Sequence, residues 1–365
     1  VSCHSRYIAK CTTSGNIQQR TLFGKQCTHS AGDAASQQTT REHSVIHARG
    51  LARTFDTKRG REKVAVNAVG GVDIDVEECE IVGFLGPNGA GKTTTLRMLT
   101  TLLKPTSGTA TVAGFDLAKD PISVRESIGY VSQSGSTAGI ARAGEEIVDH
   151  ALLYGISAAQ AERRGKELFE QLDLDGMWLR QPKTMSGGQR RRLDIAMGLV
   201  HDPKLVFLDE PTTGLDPQAR ANLWTHISDL RTKLGSTIFL TTHYLDEADA
   251  LCDRILVIDH GVIVASDTPD ALKRQVAGDL IELVLADLSQ VSIAAEHLGR
   301  LASDVSADVS GLVVSMRVPR AGTELPGLLR SLDSAGVALS AIEVRRPTLD
   351  DVFLTMTGRS LREDA

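Results

Sequence analysis

No apolar run in the 365 residues approaches the roughly 18 needed for a membrane-crossing helix. The longest are strand-sized pieces such as Ile255 to Ile258. If the chain works at a membrane, a partner must hold it there. Cysteine is scarce and poorly spaced for chemistry. Cys3, Cys11, Cys27, Cys79 and Cys252 form no C-x-x-C pair and are odd in number, so neither a zinc module nor a disulfide framework is indicated. A reducing cytoplasm is the simplest home. Positive charge is not in excess either: 40 Lys and Arg against 46 Asp and Glu give a net charge of -6, which argues against nucleic acid as the main ligand. No internal repeat is visible. What remains is an ordinary globular composition, 41% hydrophobic and 24% charged, long enough for two or three domains with a real core.

The composition divides the chain into three pieces. Residues 1–44 are rich in Ser, Thr and Gln, with five basic residues (Arg6, Lys10, Arg20, Lys25, Arg41) and two acids (Asp33, Glu42). They are expected to be a disordered N-terminal extension. The same composition suits an organellar transit peptide, but no amphipathic period runs through it. The sequence opens on Val, and the first strand-like segment starts at Val45, taken as the domain start. From there to about Gln275, β-branched runs alternate with amphipathic stretches, the pattern of a sheet flanked by helices. Buried strands are predicted at 81–85, 205–208 and 237–242. Between Ala143 and Leu174 the period turns helical, with Ile147, Ala151 and Tyr154 on one face and Leu168 and Leu172 on another, which predicts a helical subdomain over about 143–195. Residues 276–365 predict an accessory α+β domain of order βαββαβ, ferredoxin-like, with strands at 280–285, 304–309, 311–318 and 337–344. A last helix follows Pro347.

Three motifs carry chemistry. Gly86, Pro87, Asn88, Gly89, Ala90, Gly91, Lys92 and Thr93 fit G-x-x-x-x-G-K-[ST], directly after a strand and before a helix-like run that starts at Thr94. Glycines let consecutive backbone N–H groups converge on phosphate oxygens, the helix N-terminus adds a positive dipole, and Lys92 brings a point charge. Thr93 is expected to ligate Mg²⁺. Leu205 to Leu208 form an apolar strand ending in Asp209 and Glu210. In a phosphate site Asp209 would hold Mg²⁺ and Glu210 would polarise water; alone, the pair is equally a strand ending in solvated acids. Ser186, Gly187, Gly188 and Gln189 open an amphipathic run for which Ser186 is a good N-cap, a second helix end able to bind phosphate.

The order of these motifs with Gln133, Gly214 to Asp216 and His243 resembles the nucleotide-binding domain of ABC transporters, over about residues 46–275. The resemblance implies an α/β P-loop NTPase fold with a helical subdomain, and ATP with Mg²⁺ as cofactors. It implies two copies packed head to tail, each ATP lying between the glycine-rich loop of one and Ser186 to Gln189 of the other. By position, Phe55 would stack on adenine, where Tyr is commoner. Gln133 would sense Mg²⁺ and water, Asp216 would bridge the subunits, and His243 would contact the γ-phosphate.

Arg190 to Asp194 and the tail from Pro347 through Leu354 to Arg359 resemble ABC-2 type export ATPases, most closely the daunorubicin-resistance ATP-binding subunits. Without that resemblance, Arg190 to Arg192 read as a solvated helix face, and Val352, Phe353 and Met356 as core or dimer contact. The implied function is that of an ATPase subunit at the cytoplasmic face of the membrane. It would energise export of a hydrophobic drug, antibiotic or lipid-like substrate through a separately encoded ABC-2 type permease, as a homodimer or with a paired ATPase. The alternatives are an importer ATPase with a ligand-binding C-terminal domain and a soluble, non-transport ABC ATPase. Two departures stand out: Met185 where Leu is usual, and a segment 134–146 without the Thr-Gly-Arg-Glu pattern of the subfamily. That leaves Glu145 and Glu146 as candidates for coupling to the permease.

Overall fold

The computed structural model describes residues 44–59, 62–275, 278–301, 308–319 and 321–358. The chain opens with a long hairpin, β1 (Ser44–Arg59) and β2 (Glu62–Glu77), then β3 (Ile81–Leu85) and α1 (Lys92–Leu99). Next come β4 (Ser107–Val112), β5 (Phe115–Asp116), α2 (Pro121–Ser127) and β6 (Ile128–Val131). A helical stretch follows: α3 (Ala143–Leu152), α4 (Ala158–Gln171) and α5 (Gly187–Leu199). Then β7 (Leu205–Asp209), α6 (Pro217–Leu234), β8 (Thr237–Thr242), α7 (Leu245–Leu251), β9 (Arg254–Asp259), β10 (Val262–Asp267) and α8 (Pro269–Gln275) alternate. The last part is β11 (Asp279–Leu285), α9 (Val291–Gly299), β12 (Asp308–Ser310), β13 (Val313–Val318), α10 (Ala321–Ser334), β14 (Leu339–Arg345) and α11 (Leu349–Thr357).

The central sheet has the order β10-β9-β3-β8-β7-β6. All neighbours are parallel except the β9–β10 hairpin at one edge. Of its inner strands, β3, β7 and β8 are buried at every position because both faces are covered. Alternate residues supply two cores. Ile81, Leu85, Val206, Leu208, Ile238 and Leu240 pack toward the helices. Val82, Phe84, Leu205, Phe207 and Phe239 pack toward α1 and the antiparallel sheet β2-β1-β4-β5. A sheet of this kind presents its ligand site beyond the carboxyl ends of its strands. Beyond β3 lies the glycine-rich loop; beyond β6, β7 and β8 lie Gln133, Glu210 and His243.

The strand-like segment expected from Val45 is the start of β1, but the rest of the β1–β2 hairpin is not marked in the sequence, because the register shifts at four places between Ser44 and Thr54 and breaks the alternation that marks a strand. In the helical stretch, Ile147, Ala151, Leu168 and Leu172 are buried as expected. Tyr154 instead lies past the end of α3, its ring stacked at 3.8 Å on His201. Trp178 is lodged against Gly144, where a Cβ would come within 2.2 Å of the indole.

The C-terminal sheet, order β12-β13-β11-β14, is antiparallel throughout, with the strand and helix sequence of a ferredoxin-like fold. Its own core joins Ile281, Leu283, Val314 and Met316 to Leu298 of α9 and Leu328 of α10. Of the strand expected at 304–309, residues 304–307 lie outside the described residues, as do residues 1–43 of the expected tail and Arg359. Helix α11 departs from this core. Leu349, Val352 and Phe353 enter the helical-side core of the central sheet, with Leu272 of α8 and Leu251 of α7. Thr348 caps the helix, accepting from the Asp351 N–H at 3.3 Å, and Arg317 of β13 reaches Asp351 at 2.6 Å. Phe353 is 1% exposed. Phe353→Ala is expected to lower stability by about 3–5 kcal/mol, measured by urea denaturation; a loss below about 1 kcal/mol would mean that α11 is not part of this core.

Candidate functional site

The loop between β3 and α1 is shaped by what surrounds it. At Gly86 a Cβ would sit 2.3 Å from the Ile258 carbonyl oxygen, so no side chain fits. At Gly91, the residue before α1, φ is +109° and a Cβ would meet the Ala68 carbonyl oxygen at 2.7 Å. The resulting cavity, about 140 Å³, is lined by Ala68, Pro87, Asn88, Gly89, Gly91, Lys92, Thr93, Thr94 and Glu210. The Lys92 ammonium is buried and donates to the carbonyl oxygens of Gly86 at 2.6 Å and Pro87 at 3.1 Å. Burial pushes its pKa below the ordinary value, and the carboxylates of Glu210 and Asp209 pull the other way. A helix N-terminus and a buried ammonium facing one small cavity form a site for a phosphate-bearing ligand.

Of the two acids, Glu210 lines the cavity and Asp209 lies just before it in the chain. Asp209 closes β7 and is buried; its Oδ1 accepts the Thr241 hydroxyl at 2.7 Å. Burial raises its carboxyl pKa, and the Glu210 charge adds to the rise. Glu210 adopts φ +44°, a strained geometry for a residue with a side chain that costs about 1–3 kcal/mol. Its N–H is anchored on Thr241, to the carbonyl oxygen at 3.1 Å and the hydroxyl at 3.0 Å. The carboxylate accepts from Gln133 Nε2 at 2.8 Å and Thr213 Oγ1 at 3.2 Å on one oxygen, and His243 Nδ1 lies 3.4 Å from the other. The His243 imidazole is the largest cause holding this carboxyl below the usual carboxylate range, against burial. An ionised carboxylate thus faces the phosphate cavity.

Lys92, Thr93, Thr94, Gln133, Asp209, Glu210 and His243 are brought together, while three other expected groups stand apart from this cavity. Ser186 caps α5, accepting from the Gln189 N–H at 3.2 Å while the Gln189 side chain accepts from the Ser186 N–H at 3.0 Å. Ser186 and Gly187 are exposed, and Gly188 and Gln189 partly so. Asp216 caps α6 through the Ala219 N–H at 2.8 Å and is likewise exposed. Phe55, on β1, is half-buried with the Arg53 guanidinium 4.7 Å over its ring.

Of the paired acids after Gln133, Glu146 turns inward and accepts from the Ala138 and Gly139 N–H groups at 3.1 and 2.9 Å. Glu145 caps α3 by accepting from the Arg142 N–H and stays exposed. Sequence reasoning missed Thr241, which orients both acids; a threonine at a buried strand end carries no signal of its own. The Arg190 to Arg192 run is not a uniformly solvated face, because Arg191 is only 7% exposed.

Asp209 and Glu210 crowd like charges, so the nucleotide-free chain carries an electrostatic cost. Asp209→Asn keeps an acceptor for Thr241 and removes the buried charge. Below the ordinary carboxylate pKa, Asp209 is neutral folded and unfolded, so charge at this position makes no difference between the two proteins. As pH rises, the unfolded parent ionises before the folded one, and the parent loses stability relative to the variant until its folded carboxyl has ionised too. The variant is therefore expected to melt higher at neutral pH without nucleotide or metal, with an advantage that shrinks on acidification. A pH series of thermal melts showing an advantage independent of pH would contradict this.

Comparisons with known proteins agree with the geometry. The sequence profile of the family described as ABC transporter matches residues 69–213. The daunorubicin resistance ATP-binding protein DrrA2 of Streptomyces coeruleorubidus is 40% identical over 315 residues, 86% of this chain and 95% of that protein. The doxorubicin resistance ATP-binding protein DrrA of Mycobacterium tuberculosis is 40% identical over 84% of this chain and 92% of its own length. A Nod factor export ATP-binding protein I of Cupriavidus metallidurans is 36% identical over 81% of this chain. Among solved structures, an ATP-binding subunit of an ABC transporter superposes with a TM-score of 0.54 at 28% identity, covering 63% of this chain and 92% of its own. With the cavity, its paired acids and this likeness taken together, the chain belongs to the ABC transporter family, as an ATP-binding and ATP-hydrolysing protein of the group that includes the daunorubicin and doxorubicin resistance ATP-binding proteins.

Proposed function

We propose that this chain energises an exporter. Two ATPase subunits, a homodimer or this chain with a paired one, hydrolyse ATP and drive a hydrophobic drug, antibiotic or lipid-like molecule through a separately encoded ABC-2 type permease. The single observation that carries the reading is the Glu210 carboxylate, which accepts from Gln133 and Thr213, lies beside His243 and faces the cavity of the glycine-rich loop. In this reading Glu210 polarises the attacking water. Gly86 to Thr94, with Lys92 foremost, cradle the phosphates; His243 contacts the γ-phosphate; Phe55 stacks on the base. Ser186 to Gln189 and Asp216 are exposed or partly so, and apart from their own cavity, because they serve the site of the other subunit. ATP then joins two helix ends, and hydrolysis releases them through charge repulsion.

The donor set suits Mg²⁺. Among the described residues no cluster of three or more His, Cys, Asp or Glu could hold a metal alone. Thr93, Asp209 and Gln133 instead offer oxygen ligands of the kind that completes a Mg²⁺ site already bound to substrate phosphates. When bound, the ion supplies positive charge that offsets the crowding of the two acids and the phosphoryl oxygens.

No helix among the described residues is long and apolar enough to cross a membrane, so the reading places the chain peripherally on the cytoplasmic face, held by its permease. A groove of about 430 Å³ between α3 and α4, with Val148 and Trp178 in its wall and Glu145, Asp149 and Glu162 around it, is the proposed seat for the permease. The outward direction rests on relatives named for drug resistance and for Nod factor export.

Glu210→Gln is expected to cut ATP turnover by about 10²–10⁴-fold. Nucleotide affinity should be kept and the ATP-bound dimer should accumulate, read by steady-state hydrolysis, nucleotide titration and gel filtration; turnover at the parent rate would remove Glu210 from its role. Affinity capture of the tagged chain from detergent-solubilised membranes is expected to bring down a stoichiometric multi-span protein with active hydrolysis. Recovery solely from the soluble fraction, or with ribosomes, would refute the transport role.

A further inference from the structure

Arg191 lies on the buried side of α5 and spends its guanidinium on three backbone carbonyls. Nη1 donates to Ser132 O at 2.6 Å, Nη2 to Asp209 O at 2.9 Å and Nε to Pro211 O at 2.8 Å. Ser132 precedes Gln133, while Asp209 and Pro211 flank Glu210. One rigid, planar group therefore fixes the main chain beside both partners of the 2.8 Å contact between Gln133 and Glu210. Three residues further along the helix, Asp194, 3% exposed, accepts from the N–H groups of Ser136 at 2.7 Å and Thr137 at 3.2 Å and fixes the far end of the segment after Gln133. Between them Gly135 takes φ +81°, and a Cβ there would come within 2.9 Å of the Asp194 carboxylate.

We infer that Arg191 is a positioning residue for ATP hydrolysis: it sets Gln133 against Glu210 from the helix whose N-terminus is Ser186, with Asp194 completing the bracket. The inference rests on the reading that Gln133 and Glu210 act on ATP. The hydrogen bonds of Arg191 and Asp194 go to residues outside the glycine-rich loop and the cavity lining, so their loss is expected to fall on turnover rather than on nucleotide affinity. The end of α5 that would meet the other subunit's ATP is thereby tied through one rigid helix to the water-polarising pair of its own subunit.

The test is Arg191→Lys in the full chain, which keeps the charge and loses the fork. It is expected to lower kcat by about 10²-fold, the scale of an ångström-sized misplacement, with KM and nucleotide affinity unchanged. Placed on Gln133→Ala, the same substitution is expected to cost only a small part of that factor, since the geometry it maintains is already gone. A parent-like kcat, or the same fold-loss in both backgrounds, would overturn the proposal. If the Lys variant does not fold, Asp194→Asn tests the bracket from its other end, with the same split between kcat and affinity expected and a parent-like kcat counting against it. Glu210→Gln is assayed in parallel. If that variant turns over normally, the underlying reading fails; if it is inactive while Arg191→Lys and Asp194→Asn are normal, only the positioning role fails.

Discussion

The site depends on holding two adjacent carboxylates, Asp209 and Glu210, at the end of a strand buried on both faces. Like charges in such a place repel, and burial disfavours the ionised form of each. The structure treats them differently. Asp209 is sunk in the sheet end with a hydroxyl for company and its carboxyl pKa is raised; Glu210 is swung out by a positive φ into a ring of donors and its pKa is lowered. Environment therefore pushes the carboxyl pKa values of two chemically similar neighbours in opposite directions. The parallel sheet makes this possible, since it delivers the ends of β3, β6, β7 and β8 to one side.

A second layer of polar contacts makes the strained backbone at Glu210 tolerable. Thr241 takes the Glu210 N–H on two oxygens, and Arg191 binds the carbonyls on either side. Removing any of these leaves buried donors or acceptors unmatched, which costs more than the net gain of an average hydrogen bond. The strain is thus stored in a frame fixed from two directions.

What was legible in the sequence is what is local. The glycine-rich loop, the capped start of α5 and the acids ending β7 each occupy a few consecutive residues with a distinctive chemistry, and the apolar strands beneath them are continuous because both faces are buried. The ferredoxin-like order at the C-terminal end was also readable, since each of its elements carries a clean period. Of the β1–β2 hairpin only the opening at Val45 was, because bulges break the alternation further on. Thr241 and Arg191 escaped because their roles arise from residues 18 to 59 positions away in sequence. Inside a triplet of arginines nothing marks the middle one as buried. Likewise, the two glutamates after Gln133 look interchangeable until the fold turns one inward and leaves the other in the α3–α4 groove.

Helix α11 has a consequence for how the protein is made. Its Leu349, Val352 and Phe353 complete the core that the central sheet shares with α7 and α8, yet the whole ferredoxin-like segment separates them from α8 in the chain. A ribosome delivers the nucleotide-binding strands long before it delivers the plug. During that interval the faces of Leu251 and Leu272 are uncovered, and a nascent chain can neither bury them nor finish its ATPase core until synthesis has passed Phe353.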